Sequence, residues 1–378
     1  NRAALYSGKA LSFDGVNDSV DLGTGILTGT GDFTYCAYVK SDGTQNGGTV
    51  FASYPSSNLQ LFFGKQYIGM YLGNSSTYLG VSPWNVDLEE FTTDWVFITA
   101  LREGTETRFY MNGVLIKTGS SSSSLGTSST LFKIGSTTNG NDFFDGKISN
   151  SRAFDVALTA AQIADLYNNP EKIVPTGLES NLKLWLPMME GAGTKCLDGA
   201  SLNTATERVE NGDFNDGTTG WVGNPETTLS VTNGQLDIQS AATSQQYGAA
   251  FSEVNFTSGK YYLFQLDIVS CNNPAQIRIG ASNSATLYSQ NIWASGETGV
   301  GTNSILWLAP SDYTYLSIGG RNDVTTLVID NVSVKEVSVG NISGATWTNG
   351  IGAPVAQTSV IDWNKTILDK TNEVLIPQ

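Results

Sequence analysis

The segment Asn139-Gly140-Asn141-Asp142-Phe143-Phe144-Asp145 concentrates side-chain oxygens in one short stretch of the chain. Carboxylate and amide oxygens such as those of Asn139, Asn141 and Asp142 are the ligands that hard cations like Ca²⁺ prefer. The spacing is not that of an EF-hand loop, and Asn and Asp also form turns in which the side chain bonds to its own backbone. Two interpretations therefore stay open here, a calcium site and a simple Asx-turn loop.

Aromatic side chains offer a second kind of chemistry, the binding of sugars. An apolar ring stacks on the C–H face of a pyranose while neighbouring amides bond to the sugar hydroxyls. Four tryptophans alternate with apolar neighbours or lie in motifs that usually pack, which predicts core positions for them: Trp95, Trp185, Trp221 and Trp307. The better candidates for sugar stacking, with packing as the alternative for each, are Tyr67, Tyr71, Tyr78, Trp84, Tyr288, Trp293, Tyr313 and Tyr315.

Composition excludes several classes of function. The 378 residues contain no histidine, so a Ser-His-Asp or Cys-His nucleophile system and a His-ligated zinc site are both excluded. The balance of 20 Lys+Arg against 35 Asp+Glu gives a net charge of −15, which disfavours nucleic acid and anionic membranes as partners. No run of apolar residues is long enough to predict insertion into a membrane.

The elements that position these residues are predicted to be β-strands almost throughout. Alternation of apolar and polar residues with period two recurs in short segments that are separated by Gly, Ser, Asn and Thr. Asn112-Gly113 within residues 108–116 predicts a two-residue hairpin turn, and Asn233-Gly234 predicts another. One amphipathic helix is predicted over residues 158–167, with Thr159 and Gln162 as its capping box.

Two segments near the start and middle of the first half carry a family resemblance. Ala10-Leu11-Ser12-Phe13-Asp14-Gly15-Val16-Asn17-Asp18-Ser19-Val20-Asp21-Leu22-Gly23 resembles the opening strand pair of laminin-G-like, concanavalin A-like lectin domains. Phe144-Asp145-Gly146-Lys147-Ile148-Ser149-Asn150-Ser151-Arg152, followed by the predicted helix, is similar to a later part of the same domains. The resemblance implies a β-sandwich over residues 1–203 and, in this family, often a calcium ion at one rim.

That fold also hosts glucanases, whose retaining members carry the pattern Glu-x-Asp-x-x-Glu. This string is absent from the chain, and the acidic cluster Asp87-Leu88-Glu89-Glu90 breaks the alternation that would aim two carboxylates into one groove. The sequence therefore predicts a protein that is not an enzyme.

A second resemblance covers residues 207–339. Asn211-Gly212-Asp213-Phe214 with Gly220-Trp221, and Ile329-Asp330-Asn331-Val332-Ser333-Val334 at the far end, are similar to jelly-roll carbohydrate-binding modules of xylanases and glucanases. In those modules the Asp of the last strand and the opening Asn-Gly-Asp-Phe segment share a structural calcium, which implies Asn211, Asp213 and Asp330 as ligands here. Alternation also places Asp330 on the face of Val328, Val332 and Val334, with a bulge toward solvent or hydrogen bonds to backbone amides as the alternatives.

The two resemblances together look like tail, fibre or head-decoration proteins of bacteriophages. The predicted architecture is all-β: a concanavalin A-like sandwich over 1–203, a jelly roll over 207–339 and a C-terminal docking tail over 340–378. The expected function is that of a non-enzymatic virion structural protein, at a virion surface or extracellular, which forms a homo-oligomer and binds a polysaccharide or cell-surface glycan and other virion proteins. The alternatives are the sugar-binding part of a secreted polysaccharide-degrading enzyme and a purely structural spacer.

Overall fold

The computed structural model of the chain divides into two compact units. Unit 1 comprises Asn1–Thr204 and Ser338–Gln378, and unit 2 comprises Ala205–Val337. The residues that the structure describes are 9–42, 47–53, 59–64, 68–72, 77–81, 94–137, 139–170, 172–188, 190–240, 248–285, 290–293, 299–320 and 326–350.

Unit 1 contains two antiparallel sheets, each with eight strands among the described residues. Its strands are β1 (Lys9–Asp14), β2 (Ser19–Thr24), β3 (Phe33–Ser41), β4 (Gly48–Ser53), β5 (Leu59–Phe63), β6 (Ile68–Leu72), β7 (Thr77–Val81), β8 (Val96–Glu103), β9 (Glu106–Met111), β10 (Val114–Ser120), β11 (Leu131–Ile134), β12 (Asp145–Phe154), β13 (Leu182–Leu186), β14 (Lys195–Leu197), β25 (Val339–Ser343) and β26 (Thr346–Asn349). Sheet A has the order β10-β9-β8-β3-β12-β1-β26 with β13 beside β12, and sheet B has the order β14-β25-β2-β11-β4-β5-β6-β7.

The alternation in the sequence decides which face of each strand is buried. Leu59, Leu61 and Phe63 of β5 all belong to the core cluster that also contains residues of sheet A, so the residues between them face away from that core. The predicted hairpin is confirmed, because Met111 pairs with Val114 and both Asn112 and Gly113 adopt positive φ. The same is true of Asn233-Gly234.

The predicted helix is confirmed as α1 (Ala160–Asn168), with both hydrogen bonds of the Thr159–Gln162 capping box present. Its buried residues Ile163 and Leu166 belong to a second apolar cluster of unit 1, together with residues of sheet A such as Tyr38 and Phe97. The Tyr38 hydroxyl donates to the Tyr167 carbonyl at 2.9 Å. A short helix, α2 (Gly199–Thr204), follows β14. The outward face of sheet A is therefore partly covered by helix.

Residues 339–349 complete both sheets of unit 1. Strand β25 lies between β2 and β14, and β26 pairs with β1 at the edge of sheet A. The Trp347 side chain packs against the core and donates from Nε1 to the Gly193 carbonyl at 2.8 Å. This corrects the expected docking tail for residues 340–349, and residues 351–378 of that tail lie outside the described residues.

Unit 2 consists of two five-stranded antiparallel sheets. Its strands are β15 (Trp221–Gly223), β16 (Thr227–Thr232), β17 (Gln235–Ser240), β18 (Gly248–Phe256), β19 (Tyr261–Cys271), β20 (Ile277–Ser282), β21 (Gln290–Trp293), β22 (Gly301–Leu308), β23 (Tyr313–Gly320) and β24 (Thr326–Val337). Sheet C has the order β16-β17-β24-β19-β22, and sheet D has the order β15-β18-β23-β20-β21.

The two ends of unit 2 meet through backbone hydrogen bonds. The Val332 amide donates to the Gly212 carbonyl at 2.8 Å, and the Arg208 amide donates to the Val334 carbonyl at 3.0 Å. Position 212 needs glycine, because a Cβ there would collide with the Val332 carbonyl oxygen. The all-β prediction is confirmed by both units. Among the described residues, no helix has the length and apolar character needed to cross a membrane.

Candidate functional site

The face of sheet B that points away from the core carries polar and aromatic residues. Gln60 lies between the buried Leu59 and Leu61, and Tyr71 lies between the buried Met70 and Leu72. Gln60 and Tyr71 are cross-strand partners in the register of β5 and β6, and both side chains are partly exposed. Side chains opposite one another in an antiparallel pair are close enough to contact the same ligand.

Neighbouring groups hold this pair in place. The Phe62 ring packs against the Tyr71 ring with centroids 5.1 Å apart. Gln60 donates from Nε2 to the buried Thr49 hydroxyl at 2.8 Å, and the same Nε2 lies 3.5 Å from Asp142 Oδ2. In the described part of the chain no group donates to Gln60 Oε1, which leaves an acceptor beside a half-exposed ring. We call Tyr71, Phe62, Gln60, Thr49 and Asp142 the sheet B patch.

The loop with Asn139, Asn141 and Asp142 adopts a hydrogen-bonded turn. The Thr137 hydroxyl donates to Asn139 Oδ1 at 2.7 Å, and the Asn141 amide donates to the Thr137 hydroxyl at 3.0 Å. Asp142 has a positive φ, and its carbonyl accepts from the Thr49 amide at 2.9 Å, which fixes the loop to β4. Among the described residues these bonds form a turn around the Thr137 hydroxyl and not an Asx-turn. They hold Asp142, a predicted metal ligand, near Gln60, the cross-strand partner of Tyr71.

The other aromatic candidates of the first half can be placed only in part. Tyr78 is the cross-strand partner of Tyr71 in the backbone register of β7, while its side chain lies outside the described residues. Tyr67 and Trp84 lie outside the described residues altogether.

In unit 2, Tyr315 lies on the face of sheet D that points away from the core. Leu316 and Ile318 belong to the core cluster, so Tyr315 and Ser317 point to the opposite face. Tyr315 is the cross-strand partner of the exposed Glu253 and of Ser282. This face therefore also places one aromatic ring beside polar side chains, with fewer residues than the sheet B patch.

Of the remaining aromatic candidates of unit 2, only Tyr313 has a described side chain. Tyr313 packs against the core cluster and against Trp307, with ring centroids 6.2 Å apart. Trp293 is described only by its backbone in β21, and Tyr288 lies outside the described residues.

The side chains of Asn211 and Asp213 are used in hydrogen bonds. Asn211 donates from Nδ2 to the Gly217 and Thr219 carbonyls at 2.9 and 3.2 Å, and its Oδ1 accepts from the Asp216 amide at 3.0 Å. Asp213 Oδ2 accepts from Asn215 Nδ2 at 2.8 Å. Asn211 therefore fits a structural turn better than a calcium ligand. No group of three or more His, Cys, Asp or Glu residues within the described ranges could hold a metal ion.

Asp330 is not on the same face as Val332 and Val334. Asn331 has a positive φ, and the register between β19 and β24 shifts at this point, so a bulge reverses the alternation. The expected shared face is therefore wrong for these two valines. Asp330 is partly exposed, and its Oδ1 accepts from the Asn331 amide at 2.7 Å.

Comparison with known proteins identifies the fold of unit 1. Residues 14–164 match the Laminin_G_3 model of the Concanavalin A-like lectin/glucanases superfamily. This supports the predicted concanavalin A-like domain. No curated protein matches the chain.

Solved structures that match parts of the chain share little sequence with it. A heptameric SAP-like pentraxin from Limulus polyphemus is 19% identical over 42% of this chain and 82% of its own, with a TM-score of 0.34. A putative carbohydrate binding protein from Bacteroides ovatus is 18% identical over 51% and 56%, with a TM-score of 0.38. A structure described as "CBM4 structure and function" is 20% identical over 32% and 99%, with a TM-score of 0.29.

The sequence alone did not identify Gln60, Thr49 and Phe62 as members of the sheet B patch. A signal was present for Gln60, because a polar residue between Leu59 and Leu61 must face away from the core. Thr49 had no such signal, since a register shift next to it disturbs the alternation of β4.

Proposed function

We propose that the chain is a non-enzymatic carbohydrate-binding protein whose concanavalin A-like domain binds glycans on the sheet B patch. The observation that carries this proposal is the cross-strand pair of Gln60 and Tyr71, with the Phe62 ring behind Tyr71. The half-exposed Tyr71 ring supplies an apolar surface for the C–H face of a sugar. Gln60 Oε1 supplies an acceptor for a sugar hydroxyl beside the ring, and the Asp142 carboxylate supplies another next to Gln60.

The test is binding of the full chain to a panel of immobilised neutral and acidic polysaccharides. Tyr71→Ala is expected to weaken binding about fivefold, because a stacking contact contributes about 1 kcal/mol. Tyr315→Ala removes the ring on the sheet D face and reports whether unit 2 contributes separately. Lys117→Gln changes an exposed residue of β10 in sheet A and serves as the surface control. Binding that Tyr71→Ala leaves unchanged contradicts the assignment to the sheet B patch.

We further propose that this binding serves attachment at a virion surface, as part of a fibre or decoration protein that forms a homo-oligomer. The support is the sequence resemblance to bacteriophage structural proteins. Mass spectrometry of purified particles tests the virion setting, and light scattering of the purified chain tests the oligomeric state. Release of reducing ends from laminarin, xylan or agar would contradict the non-enzymatic proposal and favour the alternative of a polysaccharide-degrading enzyme.

A further inference from the structure

One row of cross-strand neighbours extends from the sheet B patch across most of sheet B. The register pairs Tyr78 with Tyr71, Tyr71 with Gln60, and Gln60 with Ala52. It continues by pairing Ala52 with Lys133 and Lys133 with Asp21. Six adjacent strands thus place one residue each on a line perpendicular to the strands. Neighbouring strands are about 4.8 Å apart, so the line is about 24 Å long.

Lys133 is the feature of this row that the proposed function does not use. It lies between the buried Phe132 and Ile134, which puts its side chain on the outward face of sheet B. Its side chain is partly buried, and within the described part of the chain its ammonium group makes no hydrogen bond or ion pair. Asp21, its neighbour in the row, accepts from the Gly23 amide at 2.9 Å instead. The Lys133 ammonium is therefore available for a charge-assisted hydrogen bond to an anionic group of a ligand.

Ala52 separates Lys133 from the sheet B patch. Its small side chain is buried between its neighbours and contributes no polar group to the row. Three strand spacings separate Lys133 from Tyr71, which is about 14 Å and more than a single sugar ring can span. A ligand that contacts both residues must therefore be an extended chain that lies across the strands.

We propose that this row binds one extended chain of an anionic polysaccharide, with a sugar ring on Tyr71 and a carboxylate or sulfate of a sugar further along on Lys133. This inference rests on the proposed function and adds the charge and the minimum length of the ligand. The positive charge of Lys133 favours an anionic group on the ligand. The Tyr71 ring and the Gln60 side-chain amide favour a glycan over an acidic peptide.

The experiment is calorimetric titration of the full chain with alginate oligosaccharides and with sulfated carrageenan oligosaccharides. We expect affinity to rise from the disaccharide to the tetrasaccharide and octasaccharide as the chain reaches from Tyr71 to Lys133. Chemical reduction of the alginate carboxylates to alcohols is expected to weaken octasaccharide binding about tenfold, which is the loss of one charge-assisted hydrogen bond. Lys133→Gln should cause the same loss and remove most of the salt dependence, whereas Lys117→Gln should change neither.

Three results would overturn the inference, and they differ from a failure of the proposed function. Equal affinity for native and carboxyl-reduced alginate, together with no affinity for sulfated oligosaccharides, refutes the anionic ligand. Equal affinity for the disaccharide and the octasaccharide refutes the extended chain. Equal affinity for poly-glutamate, with the same dependence on Lys133, refutes the preference for a glycan. Only the absence of binding to every glycan, neutral ones included, contradicts the proposed function itself. Thermal unfolding of each variant checks that a loss of binding is not a loss of fold.

Discussion

The Ser201 hydroxyl accepts a hydrogen bond of 3.0 Å from the backbone N–H of Ser338, although 137 positions separate the two residues. The Asp198 amide also donates to the Ser338 carbonyl at 3.0 Å. These two hydrogen bonds hold together the two segments of unit 1 that precede and follow unit 2 in the sequence. Unit 2 is an insertion between α2 and β25 of unit 1.

From these hydrogen bonds we predict that unit 1 folds without unit 2. Replacing residues 205–337 by a short Gly/Ser linker should leave a cooperative thermal transition and a β-sheet circular dichroism spectrum. The matched control ends the chain at residue 337, which keeps unit 2 but removes β25 and β26. We expect that control to lose the transition of unit 1, because its core would lack Ile342 and Trp347. Loss of folding in the linker variant alone would contradict the prediction.

Trp347 is predicted to stabilise unit 1 although it lies far in sequence from the core residues of β1 to β13. Trp347→Ala should lower the free energy of unfolding by about 2 kcal/mol, since it removes a partly buried ring and the hydrogen bond to Gly193. Trp347→Phe keeps the ring and should lower it by about 1 kcal/mol. Chemical denaturation measures both values, and equal values for the two variants would show that the hydrogen bond alone matters.

Arg102 is predicted to stabilise unit 1 by binding the backbone of loops at one end of it. Its buried guanidinium donates to the carbonyls of Gly31 and Ser123, and burial lowers its pKa. Arg102→Met leaves these carbonyls without a charged donor and should destabilise the fold by about 3 kcal/mol. Arg108→Met on the adjacent strand is the control, because its exposed pairs with Glu103 and Glu106 should contribute less than about 1 kcal/mol. Similar losses in both variants would contradict this distinction.

Asp198 is predicted to make the stability of unit 1 depend on pH. Burial raises the pKa of its carboxyl group to about 6, although the Trp185 and Ala200 amides donate to it. A raised pKa means that the folded state favours the protonated form, so this contribution is complete below about pH 4 and is lost as the pH rises through about 6. The loss amounts to about 3 kcal/mol. The buried Glu190 and Cys196 are the other titratable groups nearby.

The matched variant for this prediction is Asp198→Asn. It keeps an acceptor for both amides but cannot ionise, so unfolding between pH 4 and 6.5 should become less dependent on pH. It should also be the more stable protein at neutral pH. An unchanged pH profile would show that Asp198 is not the responsible group.

Asn211 is predicted to stabilise unit 2 through its three backbone hydrogen bonds. Asn211→Ala should lower the melting temperature of the full chain to the same extent with calcium and with a chelator, because none of these bonds involves a metal. Asp330→Ala is the control, since its single local hydrogen bond should contribute little. A calcium-dependent melting temperature that Asp330→Ala abolishes would instead support the calcium site implied by the sequence resemblance.

Local signals in the sequence were sufficient to predict two hairpins and one helix of this fold. Asn112-Gly113 and Asn233-Gly234 define their hairpins because both residues of each pair adopt the positive φ that such turns require. Thr159 and Gln162 define the start of α1 because the capping box involves only residues within one helical turn. Alternation around Leu59 and Leu61 is likewise sufficient to indicate the buried face of β5, because it involves only neighbouring residues.

Contacts between distant residues decided the rest. The sequence by itself determined that Gln60, Tyr71 and Lys133 face away from the core, because alternation is a property of one strand. Only the register of β5, β6, β4 and β11 placed them in one row, because strand order depends on pairing over long separations. Residues 339–349 are positioned by pairing with β1 and β2, which lie more than 300 positions earlier in the chain. The bulge at Asn331 depends on its pairing with β19, which no local pattern encodes.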